Sequence, residues 1–432
     1  MGATMTAKST AAKSTAAVSQ PLPLAETHTP ADQAALSAVL ADVHARGVAA
    51  YPIGGGTSLD FGLTPATPGV GIILTSLKRV IDYPARDMTV TVEAGITLDA
   101  LSKTLAAERQ WLPVEGPQPH VATLGGLMAS AWSGPRRYGY GTMRDYVIGM
   151  TAVDIRGVPF KAGGRVVKNV AGYDFCKLLT GSLGTLGVIS QITLKTRPIP
   201  ERTAFLVCEL PNLEVAERLL AAIIDSRTTP VAVELLSGPM WREHPSLGVL
   251  TPGSMGRLVV ALEGTTPEVD WMLGQLAAER RELDVPTAHV ISGDAATRLW
   301  ETLNEFPGFP DAPLVLKASV PPSRVTEFIA TVQAADPKAS VQAHAGNGIV
   351  IARFEGFAPG DISSTVLGRL RPAAQLSGGS AIVLSSNVEG WTRQAWWGGI
   401  GAAAPWMQKI KQQFDPGNLL NPGRFAYDST GA

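Results

Sequence analysis

Cysteine is nearly absent from this sequence, since Cys176 and Cys208 are the only two in 432 residues. Two cysteines so far apart cannot build a disulfide framework, an iron–sulfur cluster or a cysteine-ligated zinc site. Long apolar runs are also absent, and none approaches the roughly 20 residues that span a bilayer. The net charge of -1 removes the electrostatic case for nucleic-acid or bulk membrane binding. We therefore expect a soluble, cytoplasmic chain that reaches the inner face of a membrane only through partners.

Glycine, by contrast, is abundant, and three of the 45 glycines are consecutive in the segment PIGGGTS at residues 52–58. This segment does not match the common nucleotide motifs. The chain has no Gly-Lys pair for a P-loop, and the sixth position of a dinucleotide fingerprint that starts at Gly54 is Leu59. Two interpretations remain: a plain tight turn, or a loop whose backbone N–H groups bind an anion such as pyrophosphate. Two further segments, HVATLGG at 120–126 and GSLGTLG at 181–187, favour the anion-binding loop.

Periodic patterns predict a mixed α+β architecture. Helical spacing of apolar residues before Gly47 predicts a helix over 32–47, and a glycine-rich stretch at 116–141 predicts a long structured loop system. Pro198 and Pro200 mark a domain boundary, after which predicted strands alternate with predicted helices in an arrangement typical of a sheet covered by helices on one face. The predicted divisions are a flexible tail (1–24), a first domain (25–200), an α+β cap domain (201–402), and a C-terminal helix and tail (403–432).

The order of PIGGGTS, ATLGGLMAS and KNVAGYDFCKLLTGSLGTLGVI resembles the FAD-binding domain of the vanillyl-alcohol oxidase and p-cresol methylhydroxylase (PCMH) superfamily. The resemblance implies a two-subdomain PCMH-type FAD-binding domain, an α+β cap domain, and a C-terminal tail that returns to the FAD domain. It implies that the first two segments contact the FAD pyrophosphate and the flavin, and that the third holds the adenine side. Leu183 stands where relatives often have an acidic residue. Because His120 is the only His or Cys in the glycine-rich loops, while Cys176 lies in a predicted short helix, we favour noncovalent FAD. The implied FAD-binding residues are Ile53, Gly54, Gly55, Gly56, Thr57, Ser58, Ala122, Thr123, Leu124, Gly125, Gly126, Ser130, Gly187, Val188, Ile189 and Asn421.

The C-terminal segment FDPGNLLNPGRF is similar to the closing motif of flavin-dependent D-2-hydroxy acid dehydrogenases. This resemblance places Arg424 near the flavin as an anion holder, although a solvated arginine in a tail fits the sequence equally well. Catalytic members carry a segment resembling G-H-x-G-D-G-N-x-H that binds a divalent metal, whereas this chain reads AHAGNGIVIARF. His344 is kept, but the aspartate is missing, and we assign the second histidine position to Val350. We therefore predict no metal site, because one imidazole is not enough, and regard His344 more simply as a hydrogen-bonded histidine at a strand end.

Nearly the whole chain past residue 25 resembles the E-type subunits of bacterial glycolate oxidase, also called glycolate dehydrogenase. In that family a paralogous flavin subunit (GlcD type) is thought to carry the substrate site, and an iron–sulfur subunit (GlcF type) passes electrons onward. The resemblance implies an FAD-dependent oxidoreductase that relays electrons in a complex oxidising glycolate to glyoxylate. A stand-alone 2-hydroxy acid dehydrogenase using Arg424, Lys317 and His344, and a structural subunit whose flavin never turns over, remain alternatives. Four tryptophans within 391–406 predict either a partner interface or a cap-domain core.

Overall fold

The structure is a computed structural model that describes residues 22–164, 173–282, 288–309 and 312–426. The predicted tail lies outside these residues up to position 21, and the first strand already begins at Leu24, the last residue of that tail. The KNVAG part of the third glycine-rich segment also lies outside them. Among the described residues, no helix combines the length and the hydropathy needed to cross a bilayer.

The first half of the chain forms two small sheets and a separate two-stranded antiparallel pair of β6 and β10. Strands β1, β3 and β2 make a parallel sheet, and β4, β5, β9, β7 and β8 make an antiparallel sheet in that order. Asp32 caps α1 through its side chain, and Gly47 ends the helix in the left-handed conformation at the stop that the sequence pattern predicts. The elements are β1 Leu24–His28, α1 Gln33–Arg46, β2 Ala49–Ile53, β3 Gly69–Ile73, β4 Val80–Asp82, β5 Thr89–Glu93, α2 Leu98–Ala106, β6 Gln110–Trp111, α3 Leu124–Ser130, α4 Arg137–Tyr140, α5 Met143–Tyr146, β7 Val147–Val153, β8 Pro159–Gly163, α6 Phe175–Leu179, β9 Val188–Lys195 and β10 Arg197–Pro198.

The second half is built on a sheet in which eight strands are described, ordered β16-β11-β15-β12-β18-β19-β17-β20. Its elements are β11 Arg202–Leu210, α7 Leu213–Asp225, β12 Ala232–Ser237, β13 Glu243–His244, β14 Gly248–Val249, β15 Gly256–Gly264, α8 Thr266–Glu282, β16 Ala288–Ser292, α9 Asp294–Glu305, β17 Leu314–Ser319, α10 Val325–Ala335, β18 Ser340–His344, β19 Ile349–Phe354, a π-helical stretch Ile362–Leu370 that continues into α11 Arg371–Leu376, β20 Ser380–Ser386, α12 Arg393–Trp397 and α13 Ala404–Phe414.

Two cores lie on opposite faces of this large sheet. One face packs against α7, α8, α10 and the helix that ends with α11. The other face carries Phe205, which packs against Trp300 of α9 at a ring-centroid distance of 4.9 Å. The expectation of helices on one face is therefore wrong, because α9 uses Leu299, Trp300 and Leu303 to cover part of the second face. That second face also meets the first half of the chain.

A buried arginine joins the two halves. Arg136 forms ion pairs with Glu115 at 2.7 Å and with Glu263 of β15 at 2.6 Å, and its guanidinium lies 3.7 Å from the ring centroid of Trp300. Burial raises the pKa of Glu115, and the charge of Arg136 opposes that effect. The predicted loop system at 116–141 thus contains the short helices α3 and α4 and contributes Arg136 to the contact between the halves.

Candidate functional site

A cleft of about 870 Å³ opens where the two small sheets meet the C-terminal segment. We call it the glycine-lined cleft. Of the sequence-predicted residues, it brings together Gly54, Gly55, Gly56, Thr57, Ser58, Thr123, Gly125, Gly126, Ser130, Gly187, Val188, Ile189, Asn421 and Arg424. Residues that the sequence reasoning missed complete the lining: Leu22, Pro52, Leu59, Phe61, Leu74, Ala94, Ala129, Leu183 and Gly184.

The triple-glycine segment has no room for side chains. A Cβ on Gly54 would lie 2.2 Å from Thr123 Oγ1, and a Cβ on Gly55 would lie 1.8 Å from the carbonyl oxygen of Val121. Gly56 has φ +79°, a left-handed conformation that suits glycine. Within the described part of the chain, the N–H groups from Gly54 to Ser58 have no hydrogen-bond acceptor. The segment therefore presents a row of free backbone donors, which is what an anionic group such as pyrophosphate requires.

The second glycine-rich segment contributes differently. Thr123 caps α3, and the N–H groups of Leu124, Gly125 and Gly126 donate to Ile96 O, Ala94 O and Thr123 Oγ1, respectively. These three N–H groups are therefore already bonded within the protein. The segment contributes to the cleft mainly by letting a ligand approach its backbone closely. Three predicted residues lie away from the cleft: Ala122 and Leu124 are buried in the core beneath it, and Ile53 ends β2 beside it.

The C-terminal segment closes the cleft. Leu420 pairs with Ala50 of β2 as a short parallel bridge, and Asn421 donates through Nδ2 to the carbonyl oxygen of Leu183 at 2.7 Å. Leu183, which stands in place of an acidic residue, adopts φ 51° and lines the cleft through an apolar side chain. Neither His120, which is exposed, nor the buried Cys176 lines the cleft.

Arg424 is buried, so its interpretation as a solvated tail arginine is wrong. Its guanidinium donates to the carbonyl oxygens of Leu59 and Phe61 at 2.6 and 2.8 Å, and burial lowers its pKa to about 10. These two bonds hold residues 59–61, which follow the glycine segment, in place. The guanidinium of Arg424 also puts a positive charge on the wall of the cleft.

Lys411 holds the C-terminal segment in place through a buried hydrogen-bond network. Its Nζ donates to Thr185 O at 2.9 Å, to Leu420 O at 3.0 Å and to the buried carboxylate of Asp415 at 2.6 Å. Asp415 in turn accepts from the N–H groups of Leu419 and Leu420. This buried network determines the course of the C-terminal segment along β2.

A second, smaller cavity of about 370 Å³ adjoins the glycine-lined cleft and shares Phe61 and Ser130 with it. We call it the Lys317 cavity. Lys317 reaches it from β17 and His344 from β18, while Arg353, which we considered beside Lys317, instead donates to the carbonyl oxygen of Phe309 at 2.7 Å. Burial and the nearby charge of Arg137 lower the pKa of Lys317 to about 8. The remaining lining residues are Ala131, Trp132, Ser133, Ile349, Ile351 and Leu384.

His344 is held by a residue that the sequence analysis missed. Its Nδ1 lies 2.8 and 2.9 Å from the two carboxylate oxygens of Glu234, and Gln342 donates to the same carboxylate at 2.9 Å. A carboxylate only accepts, so Nδ1 carries the hydrogen and Nε2 is left for the cavity. The alternation in VAVELL places Glu234 on the opposite face from the apolar Val233 and Leu235, a signal that could have identified it.

The position assigned to the missing second histidine needs correction. Val350 is buried in the core on the other face of the sheet, and its neighbours Ile349 and Ile351 line the cavity with His344. The two-residue period of a strand explains the error, since a shift of one residue changes the face. Among the described residues, no cluster of three or more His, Cys, Asp or Glu side chains is placed to hold a metal ion. The donor set of the cavity therefore does not fit a divalent metal.

Comparison with known proteins agrees with this two-part architecture. Residues 25–163 match the FAD binding domain, and residues 199–355 and 401–425 match the C-terminal domain of FAD linked oxidases. The chain is 26% identical over 406 residues to glycolate oxidase subunit GlcD of Bacillus subtilis, covering 88% of this chain and 84% of that protein. It is 29% identical over 424 residues to the mitochondrial D-lactate dehydrogenase [cytochrome] of Arabidopsis thaliana, covering 91% and 72%. Glycolate oxidase subunit GlcE of Escherichia coli is 35% identical over 210 residues, covering 48% of this chain and 57% of that protein.

The fold recurs among solved structures. Alkyldihydroxyacetonephosphate synthase superposes with a TM-score of 0.68 at 16% identity, over 92% of this chain and 77% of that one. The α+β architecture of an FAD-binding domain and a cap domain is thereby confirmed. The glycine cradle, its free backbone donors and the cationic wall fit FAD. With an FAD binding domain joined to the C-terminal domain of FAD linked oxidases, the chain is a flavoprotein oxidoreductase that binds FAD, and glycolate oxidase subunits and D-lactate dehydrogenases are among its relatives.

Proposed function

We propose that this protein is the FAD-binding subunit of a complex that oxidises glycolate to glyoxylate, and that it relays electrons between a catalytic flavin subunit and an iron–sulfur subunit. The observation that carries the proposal is a fully formed glycine-lined cleft beside a cavity at which the described residues include no group of three or more His, Cys, Asp or Glu side chains placed to hold a metal ion. Two relatives named as glycolate oxidase subunits support the reaction and the presence of partners. With only two cysteines, both buried and free, an iron–sulfur cluster would belong to another chain.

FAD would be held noncovalently by the residues predicted from the sequence. The free N–H groups at 54–58 would bind the pyrophosphate, and the segment at 187–189 would lie at the adenine end. When bound, the flavin supplies two-electron acceptance with one-electron release. Neither His120 nor Cys176 lines the cleft, which supports noncovalent binding.

A specific observation favours a second candidate, direct oxidation of a 2-hydroxy acid by this chain. His344 presents Nε2 to the Lys317 cavity while Glu234 holds Nδ1, so His344 has the geometry of a proton acceptor. Lys317 would hold the substrate carboxylate. A third candidate gives the flavin a purely structural role. It differs from the other two because the flavin would never be reduced.

The test is anaerobic addition of glycolate, and separately of D-lactate, to the FAD-loaded chain alone and to the chain mixed with its GlcD-type and GlcF-type partners. The relay predicts flavin bleaching of this subunit only in the mixture. Bleaching of the isolated chain would refute the relay and support direct oxidation. A flavin that stays oxidised in both samples would refute both and support the structural role.

A further inference from the structure

We propose that the Lys317 cavity binds a small monocarboxylate without any metal ion. The proposal rests on the proposed function, because it places the ligand next to an FAD-filled cleft. It goes beyond that function in naming the ligand class and the residues that select it. The proposed binding does not depend on whether the isolated chain oxidises the bound carboxylate.

Charge is the first argument. Among the described residues, Lys317 Nζ has neither a hydrogen-bond acceptor nor an ion-pair partner. Arg137, which donates to Ser133 of the cavity wall, adds a second positive charge. The nearby carboxylate of Glu234 is already occupied by His344 and Gln342. A mostly buried cation without a counter-ion is costly, and an anionic ligand would remove that cost.

The volume and the lining of the Lys317 cavity limit which anions can bind there. The cavity has less than half the volume of the glycine-lined cleft, and its apolar wall is formed by Ile349, Ile351 and Leu384. A short carboxylate can place its charge on Lys317 and its carbon chain on this wall. A second carboxylate would meet apolar side chains and lose its hydration without compensation.

Hydrogen bonding explains why no metal is needed. Because Glu234 accepts the Nδ1 hydrogen, Nε2 is the ring nitrogen of His344 that remains for a ligand in the cavity. A short ligand would place its hydroxyl on Nε2 and its carboxylate on Lys317 Nζ. The isoleucines next to His344 provide no oxygen or nitrogen ligand for a cation.

The experiment uses the full FAD-loaded chain with oxamate, a small monoanionic carboxylate that has no hydroxyl to oxidise, and glutarate as the larger dianion. Binding is measured by flavin difference absorbance, because the cavity adjoins the cleft, and by calorimetry, which does not depend on the flavin. We expect saturable oxamate binding that is unchanged by a chelator, with glutarate at least about tenfold weaker. In Lys317→Met we expect at least a tenfold loss of oxamate affinity, since a charge-assisted hydrogen bond disappears.

Lys338→Met is the matched control, because Lys338 is exposed and remote from the cavity. Lys317→Arg keeps the charge and should retain part of the affinity, which separates loss of the cation from a folding defect. Equal oxamate affinity in the parent and in Lys317→Met, or a requirement for added metal, would overturn the proposal. A chain that fails to retain FAD but still binds oxamate by calorimetry would count against the proposed function alone.

Discussion

Nδ1 of His344 donates to both carboxylate oxygens of Glu234, at 2.8 and 2.9 Å, and both side chains are almost completely buried. The pair joins β12 to β18 at a register position where the two residues face each other. Because buried donors need acceptors, this pair contributes to stability as well as to the chemistry of the cavity.

Replacing Glu234 by Leu should lower the free energy of unfolding by at least about 1–3 kcal/mol, since His344 and Gln342 would lose their acceptor in a buried site. Denaturant unfolding measures the change. Glu355→Leu, at an exposed position, is the control. Glu234→Gln keeps the side-chain shape and one acceptor oxygen, so its free energy of unfolding should lie between those of Glu234→Leu and the parent. A Glu234→Leu protein as stable as the parent would contradict the predicted role.

Replacing Gly55 by Ala should sharply reduce the FAD content of the purified protein. The new Cβ would lie 1.8 Å from the carbonyl oxygen of Val121, so the segment would have to move away from its position. The flavin-to-protein absorbance ratio measures the effect. Gly356→Ala is the matched control, because nothing lies within 4 Å of its Cβ position and its φ is not positive. Unchanged FAD content in Gly55→Ala would show that this segment does not contact the cofactor.

Replacing Lys411 by Met should destabilise the protein by about 3–5 kcal/mol, because the buried carboxylate of Asp415 would lose its partner. The segment that carries Asn421 and Arg424 should then become sensitive to protease, and FAD retention should fall. Limited proteolysis and chemical denaturation measure the two effects. Lys409→Met removes an exposed lysine of the same helix and should leave both unchanged. Equal protease resistance in the two variants would contradict the predicted anchoring.

Oxamate affinity should depend on pH through Lys317. Its pKa of about 8 lies below the ordinary value of 10.5, so the free protein loses the Lys317 proton as pH rises through about 8. A bound anion favours the charged form, so affinity should be highest below pH 8 and should fall up to about tenfold per pH unit above it. The other charged or titratable groups at the cavity are Arg137, His344 and Glu234. Calorimetry from about pH 7 to 9.5 tests this, and in Lys317→Met the decline above pH 8 should disappear.

Much of the fold was predictable because the signals were local. The span of α1 and its end follow from Gly47 and the apolar positions before it. Helix α9 was missed although Ala296, Leu299, Trp300 and Leu303 follow helical spacing, because the charged and polar residues among them obscure the pattern. The large sheet was recognisable as strands, but its order depends on long-range pairing that no local pattern encodes.

The candidate site was predictable in part for the same reason. Glycines mark close approach of the backbone, so 54–58 and 125–126 were found from sequence and do line the cleft. Ala122 and Leu124 do not line the cleft, because their side chains are buried in the core on which α3 packs. The pairing of His344 with Glu234 depends on the register between β12 and β18, which only the folded sheet reveals.

The closure of the cleft by Arg424 also has a consequence for biosynthesis. The bonds from Arg424 to Leu59 and Phe61 join residues 365 and 363 positions apart in the chain. The cleft therefore gains this part of its wall only after Arg424 has left the ribosome. A nascent or truncated chain that ends before Arg424 would lack both bonds and the positive charge that they place at the cleft.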